Sequence, residues 1–391
     1  MIKNYRTPIF TFRKNSVISV YIALAMILSL LQSCQQTEIK TSSPKRNYRK
    51  DLPYTKSEVK YAKGFTLKYF DNYKVLNIIH HSSKRPDTLK YALVQRGYPI
   101  PQGFTKSQII PIPIHNLIGM SSVQIAMADF AESTDILTGL ANFNYVNSEK
   151  VRESIKAGKI VQVGEEGTIN KELIISIHPD LIMGTGAPAA DNSRYQTLIN
   201  AGIPVLLNIE WLETTPLGRA EWVKLMAALL NKEELVNKKF QSIEKEYSML
   251  AEIGKRALKK PQIIVGMPFK GSWFVPDGTS FMTRFFNDAG ATYTWANIKG
   301  TGSMGLSFET VAPIALKADY WINSGTATSK EDIASRDIRY THFGPYKKNT
   351  VYNFNKKLND LGSNDYWESG VVNPHLVLAD LIKILHPELL P

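Results

Sequence analysis

Cysteine is almost absent from this chain: Cys34 is the only one in 391 residues. A single thiol excludes an internal disulfide framework and any metal site built from several cysteines. Histidine is scarce too, with seven copies at His80, His81, His115, His178, His342, His375 and His386. None has the i, i+4 spacing around a glutamate that a helical zinc site uses, and His178 and His386 each precede a proline. There is no G-x-S-x-G elbow for acyl transfer. The glycine-rich GTGSMG at 300–305 lacks the Gly-Lys-Ser/Thr ending that cradles phosphate, and reads as a turn. Acids are outnumbered, 35 against 47 Lys and Arg, which leaves a net charge of +12. The excess forms no block. Acids and bases interleave, as in NKEELVNKKFQSIEKEY, which is the pattern of a solvated helix face and not of a nucleic-acid surface.

Long apolar runs are missing as well. The run VISVYIALAMILSLL, Val17 to Leu31, is short for a membrane span, which takes about 20 residues, but suits the apolar part of a signal peptide. Lys3, Arg6, Arg13 and Lys14 precede it without an acid. The run ends in Leu31-Gln32-Ser33-Cys34, which resembles a bacterial lipobox. That reading explains the lone thiol: cleavage before Cys34 removes a signal peptide of residues 1–33, and the sulfur carries a diacylglyceryl group. Loss of the four leader cations would bring the charge from +12 to +8. The competing reading is a signal anchor with an incidental buried cysteine. Residues 34–58 are polar and poor in apolar positions, as a flexible tether would be. The expected location is the periplasm, with lipid attachment to a membrane at Cys34.

Beyond the tether, 43% apolar residues are enough for a substantial core and two domains. KVLNIIH and TLKYALVQ read as an antiparallel pair turning around residues 84–87. IIPIPI is extended and leads into the helix SSVQIAMADFAE, which Ser121 or Ser122 can cap. DILTGL, KIVQVG, DLIMGTG and IPVLLNI are four short strands separated by helix or loop, an alternation that predicts a mainly parallel sheet flanked by helices. From Thr215 a helical region extends toward residue 257, with Pro216 in its first turn. Unbroken it would reach roughly 60 Å, so a break near Asn231 is expected, leaving a second piece of some 37 Å. After Pro261 a new α/β pattern begins: QIIVGMPF, a helix around TSFMTRFFNDAG, DYWINS, VYNF, and the final helix PHLVLADLIKIL.

Several stretches from about residue 110 onward resemble the helix-linked class of ABC-transporter substrate-binding proteins, whose members carry ferric siderophores, haem or cobalamin. They are GTINKELIISIHPDLIMGTG, AGIPVLLNIEWLETTPLGRAEWVKLMAALL, NDAGATYTW, GTGSMGLSFETVAPIALKADYWI and NDYWESGVVNPHLVLADLIKILHPELLP. The resemblance implies an α/β protein of two lobes, each with a mainly parallel sheet flanked by helices, joined by one long linker helix. The boundaries expected are 59–215 for the first lobe with an N-terminal extension, 216–260 for the helical linker and 261–391 for the second lobe. It further implies a ligand between the lobes, no catalysis and no cofactor, and as partners an ABC permease with its ATPase subunits. A ferric siderophore is the expected ligand; a corrinoid or haem, or a scavenging role without a permease, are the alternatives.

By motif position, Glu172 in INKEL and Glu309 in LSFET would dock on permease arginines. The plainer reading is that each carboxylate complements the dipole of its helix. Candidate ligand contacts are Tyr145, Glu166, Trp273, Tyr293, Trp295 and Met304, on loops or segments near strand ends. Aromatic faces suit both siderophores and macrocycles, and core packing competes for each of them. Lys270, Arg284 and Lys356 could meet an anionic chelate. The segment 54–103 reads as an extension that can pair with the first lobe's sheet, and the loop 324–350 is given no role.

Overall fold

The computed structural model describes residues 55–81, 86–165, 167–186, 192–300 and 302–390. The leader, Cys34 and Glu166 lie outside these. The extension forms β1 (Phe65–Tyr69), β2 (Tyr73–His81) and β3 (Pro86–Gln95), and its sheet is completed by β4 (Ile109–Ile112). Strands β1 to β3 run antiparallel and β4 joins β3 in parallel, in the order β1-β2-β3-β4. This sheet is separate from the first lobe's sheet rather than an addition to it, and side-chain packing holds it there.

The first lobe alternates β5 (Leu117–Gly119), α1 (Ser122–Phe130), β6 (Leu137–Leu140), α2 (Glu149–Lys156), β7 (Val161–Gln162), α3 (Lys171–Ile177), β8 (Leu181–Thr185), α4 (Gln196–Asn200) and β9 (Val205–Asn208). Its five strands are all parallel, in the order β7-β6-β5-β8-β9. Both faces are covered, so the strands read as continuous apolar runs rather than alternating ones. Ser121 starts α1: its hydroxyl accepts from the Val123 amide at 3.3 Å, while Gln124 reaches back to the Ser121 amide at 2.6 Å.

The helical region then breaks into α5 (Pro216–Ala220), α6 (Val223–Leu230) and α7 (Glu233–Lys255). Asn231 has φ of 56° and ends α6, because its short amide side chain tolerates the left-handed conformation. At 1.5 Å per residue α7 is roughly 34 Å long. Its start meets the end of α1, where Lys239 Nζ donates to Phe130 O at 3.0 Å. Its far end meets the second lobe, where Tyr247 donates to Asp288 at 2.8 Å. Gly254 makes that approach possible, since a Cβ there would fall 2.1 Å from Asp288 O.

The second lobe contains β10 (Gln262–Val265), β11 (Pro268–Phe269), β12 (Ser272–Pro276), α8 (Phe281–Asp288), β13 (Thr292–Tyr293), β14 (Ser303–Leu306), α9 (Phe308–Ala315), β15 (Tyr320–Ile322), α10 (Lys330–Arg336), α11 (Gly344–Lys348), β16 (Val351–Tyr352), α12 (Ser369–Val372) and α13 (Pro374–Leu385). A parallel sheet runs β13-β10-β15-β16, and an antiparallel sheet β11-β12-β14 sits beside it. A hydrophobic core extends through both lobes, from Phe65 through Trp222 and Phe240 to Leu385, a smaller cluster around Ile118, Ile182 and Leu207 lies in the first lobe, and the described residues form one compact unit.

The chain ahead of β1 is a strap held by two buried carboxylates. Glu221 accepts from the amides of Lys60, Tyr61 and Ala62, and Glu213 from those of Lys63 and Gly64. Glu213 also accepts from Trp222 Nε1 at 2.9 Å, and Lys224 pairs with Glu221 at 2.7 Å. Gly64 lies so close to the indole that a Cβ would sit 2.7 Å from Trp222 Cζ2. Burying an indole of this kind contributes about 2–3 kcal/mol. Beneath β2, Lys74 is fully buried and donates to Ala228 O and to Asn231, both at 2.8 Å, beside its ion-pair partner Glu233.

Candidate functional site

Parallel α/β sheets present their loops at the carboxyl ends of the strands. In the first lobe these loops carry Met120 to Ser122, Asn142 to Tyr145 and Glu165. Asn142 shapes its own loop, accepting from the Asn144 amide at 2.9 Å and donating to Glu165 at 2.6 Å. A hollow of about 30 Å³ between Met120, Ser122, Ala141, Asn142 and Tyr145 marks this rim. Tyr145 is 55% exposed there.

The second lobe answers with the segment 357–368. Asn359 Nδ2 donates to Asn144 O at 2.9 Å and to Val146 O at 3.0 Å. Ser122 Oγ donates to Trp367 O at 3.3 Å. Glu368 accepts from the amides of Asn147 and Ser148, both at 2.8 Å. Trp367 is 47% exposed and packs edge-on against Tyr366, which itself stacks on Phe354 at 4.1 Å. The lobes therefore meet at a mouth with an exposed aromatic on each side, Tyr145 and Trp367, among amide and hydroxyl groups.

A cavity of about 960 Å³ adjoins this contact, with Asn147, Ser148, Asn359 and Glu368 in its lining. It runs along the flank between α1, α2, α7 and the segment 357–375, and mixed charges line it, among them Arg152, Lys239, Glu246 and Asp360. A second cavity of about 450 Å³ lies between β16 and α13, with Lys356 and Phe354 on its wall. The strand-end mouth is the candidate binding site, since it presents an exposed aromatic from each lobe, Tyr145 and Trp367.

The residues singled out from sequence fall into two groups. Trp273, Tyr293 and Trp295 are core. Trp273 is fully buried, donates to Val265 O at 2.8 Å and packs against Trp321 and Tyr340. Tyr293 donates to Pro276 O at 2.6 Å and packs edge-on with Trp295. Burial raises the Tyr293 hydroxyl far above its usual range. Tyr145 and Met304 keep accessible surface, Met304 on β14 opposite Val275. Arg284 pairs with Asp288 at the end of α8, and Lys270 is on the β11–β12 turn. Trp367, Glu368 and Asn359 were given no role by the sequence reading, although the Tyr-Trp pair ahead of the last helix was the available signal.

Glu172 and Glu309 are both exposed in the first turns of α3 and α9. Asn170 caps α3, accepting from the Leu173 amide at 2.9 Å, and Ser307 caps α9, accepting from the Thr310 amide at 3.2 Å. The Glu309 carboxyl is held below its ordinary value by the helix-start amide and the Ser307 hydroxyl. Each carboxylate thus complements its helix and remains free to meet a cation.

Comparison with known proteins identifies the family and the fold. Residues 122–358 match the family model described as periplasmic binding protein. An uncharacterized lipoprotein of Methanocaldococcus jannaschii is 26% identical, over 95% of this chain and 93% of its own length. Among solved structures, a possible iron-binding (periplasmic solute-binding) protein from Staphylococcus epidermidis superposes with a TM-score of 0.54 at 15% identity, covering 70% of this chain and 99% of that one. A periplasmic heme-binding protein of Vibrio cholerae gives 0.52 at 13% identity, covering 67% and 98%. At these identities the solved structures show a shared fold.

Proposed function

Since the chain belongs to the periplasmic binding protein family, we propose that it is a lipid-anchored receptor which captures a ferric siderophore between its lobes and hands it to an ABC permease. The observation that carries this reading is the inter-lobe mouth, with Tyr145 and Trp367 exposed amid amide and hydroxyl groups. Aromatic faces stack on the planar parts of a chelate, and polar groups at the rim fix its orientation. The overall excess of basic residues favours an anionic chelate over a cationic one. The iron- and heme-binding names of the solved neighbours support a metal-bearing cargo, with haem, or a corrinoid, as the second reading.

In this reading Cys34 carries the lipid, and Glu172 and Glu309, on separate lobes, meet permease cations. Two charges set apart in this way fix the register of docking as well as its strength. The chain performs no chemistry; ATP is hydrolysed on partner subunits. The test is quenching of tryptophan fluorescence by ferric hydroxamate, ferric catecholate, haem and cobinamide. Tight quenching by the ferric chelates alone supports the siderophore reading. Quenching by haem or cobinamide alone replaces the cargo, and no response from the folded protein to any of the four removes the proposal.

A further inference from the structure

A carboxylate ties the two lobes together. Glu368 belongs to the second lobe and is only 3% exposed. Its two oxygens accept from the Asn147 and Ser148 amides of the first lobe, each at 2.8 Å. Those amides open α2, so the carboxylate also faces the positive end of that helix. Separation of the lobes breaks both bonds and returns the group to water.

We propose that Glu368 is a proton-linked latch, a positioning residue whose protonation sets how readily the lobes part. This regulation rests on the reading of the mouth as a solute site. The charge is costly where it sits. Burial pushes the Glu368 carboxyl up to about 7, nearby Asp365 adds to this, and the two amides oppose it. In the open form the group, once hydrated, returns toward its ordinary 4.5. The sign follows from linkage: the closed form binds the proton more tightly, so closure is favoured as pH falls from about 7 toward 4.5 and loses that advantage above 7. A neutral carboxyl still accepts an amide through its carbonyl oxygen. Acid therefore tightens the latch and alkali loosens it.

The surrounding charges come from every side of the flank cavity. Asp365 accepts from Ser369 at 2.6 Å and lies 3.8 Å from Lys357. On α2, Arg152 faces Asp360 at 3.4 Å, with Glu149 nearby on the cavity wall. Asp129 of α1 and Lys239 of α7 line the same wall. His375 of α13 stands 3.7 Å from Glu246 of α7, and burial lowers its imidazole below the usual value. His375 is thus the rival titrating group, and a control must remove it.

The test uses spin labels at Lys156→Cys and Lys347→Cys in the full-length chain carrying Cys34→Ser, in detergent and without solute. The expected result is a rise of about tenfold or more in the ratio of short to long inter-lobe distances between pH 8 and pH 5. Glu368→Gln should hold the short distance at both pH values, and His375→Gln should respond as the parent does. A flat response of the parent, a tenfold response retained in Glu368→Gln, or its loss in His375→Gln would each overturn the latch. If Glu368→Gln does not fold by circular dichroism, Asp365→Asn takes its place: the midpoint should move to lower pH, and an unmoved midpoint overturns the proposal. Because no solute is present, failure here leaves the receptor reading standing, and failure of solute binding leaves the latch standing.

Discussion

Removing the carboxylate of Glu221 tests how the strap is held. Its oxygens accept from the amides of Lys60 at 3.0 Å, Tyr61 at 2.6 Å and Ala62 at 2.8 Å, and from Lys224 Nζ at 2.7 Å. Glu221→Ala leaves three amides without acceptors, whereas the ammonium keeps Glu58 O at 2.7 Å. A buried donor left unpaired costs roughly 1–3 kcal/mol, so three amount to about 3–6 kcal/mol once water entering the gap is considered. Relief from burying the charge itself returns about 1–2 kcal/mol. The net loss is about 1–5 kcal/mol, centred near 3 kcal/mol. For a unit of about 340 residues the unfolding entropy is roughly 0.7 kcal/mol per degree, so the Tm should fall by about 4 °C. Differential scanning calorimetry measures this, and limited trypsin digestion should reveal new cleavage after Lys60 and Lys63. Glu221→Gln keeps one acceptor and should lose about half as much. A Tm within 1 °C of the parent, with the strap still protected from trypsin, would refute the clamp.

Two further outcomes follow from the site. Charge reversal, Glu172→Lys with Glu309→Lys, should leave solute affinity unchanged while uptake into cells or vesicles falls about tenfold or more, since charged pairs at a docking surface govern register and rate; normal uptake would remove the docking role. Trp273→Phe should cost about 2–4 kcal/mol of stability with little change in affinity, whereas Trp367→Ala should weaken solute binding about tenfold at nearly constant Tm. Urea unfolding and fluorescence titration separate the two, and the reverse pattern would place the ligand against Trp273.

Much of the architecture was legible in the sequence because each element announces itself locally. Ser121, Thr215, Ser280 and Ser307 are hydroxyl caps ahead of apolar periodicity, and each accepts a hydrogen bond within the first turn of its helix. Asn231 marked the break between α6 and α7 for the same local reason. The site was less legible. Trp273 and Trp295 look like ligand aromatics in a loop-rich stretch, yet the antiparallel strands β11, β12 and β14 turn Trp273 inward, and Trp295 packs beneath on Tyr293. Strand-to-strand register of short segments is set by distant pairing, which no local pattern encodes. Glu368 escaped notice for the same reason: its partners are backbone amides some 220 residues away, and backbone amides leave no trace in sequence.

The strap also decides how the molecule bears load. Ser57 donates to Asn237 on α7 at 2.7 Å, and Asn237 donates to Lys56 O at 3.1 Å. The chain thus leaves the body beside the first turns of α7, near the end of α1. With Cys34 as the lipid attachment proposed above, the span from Cys34 to Lys56 can pay out about 75 Å when drawn straight. That is about twice the length of α7, sufficient leash for the body to turn its mouth toward the same membrane that holds its tail. Tension on the leash would fall first on the Ser57–Asn237 bonds and then on Glu221. The tail end of the molecule is a mooring with two stages, the first on α7 and the second on Glu221.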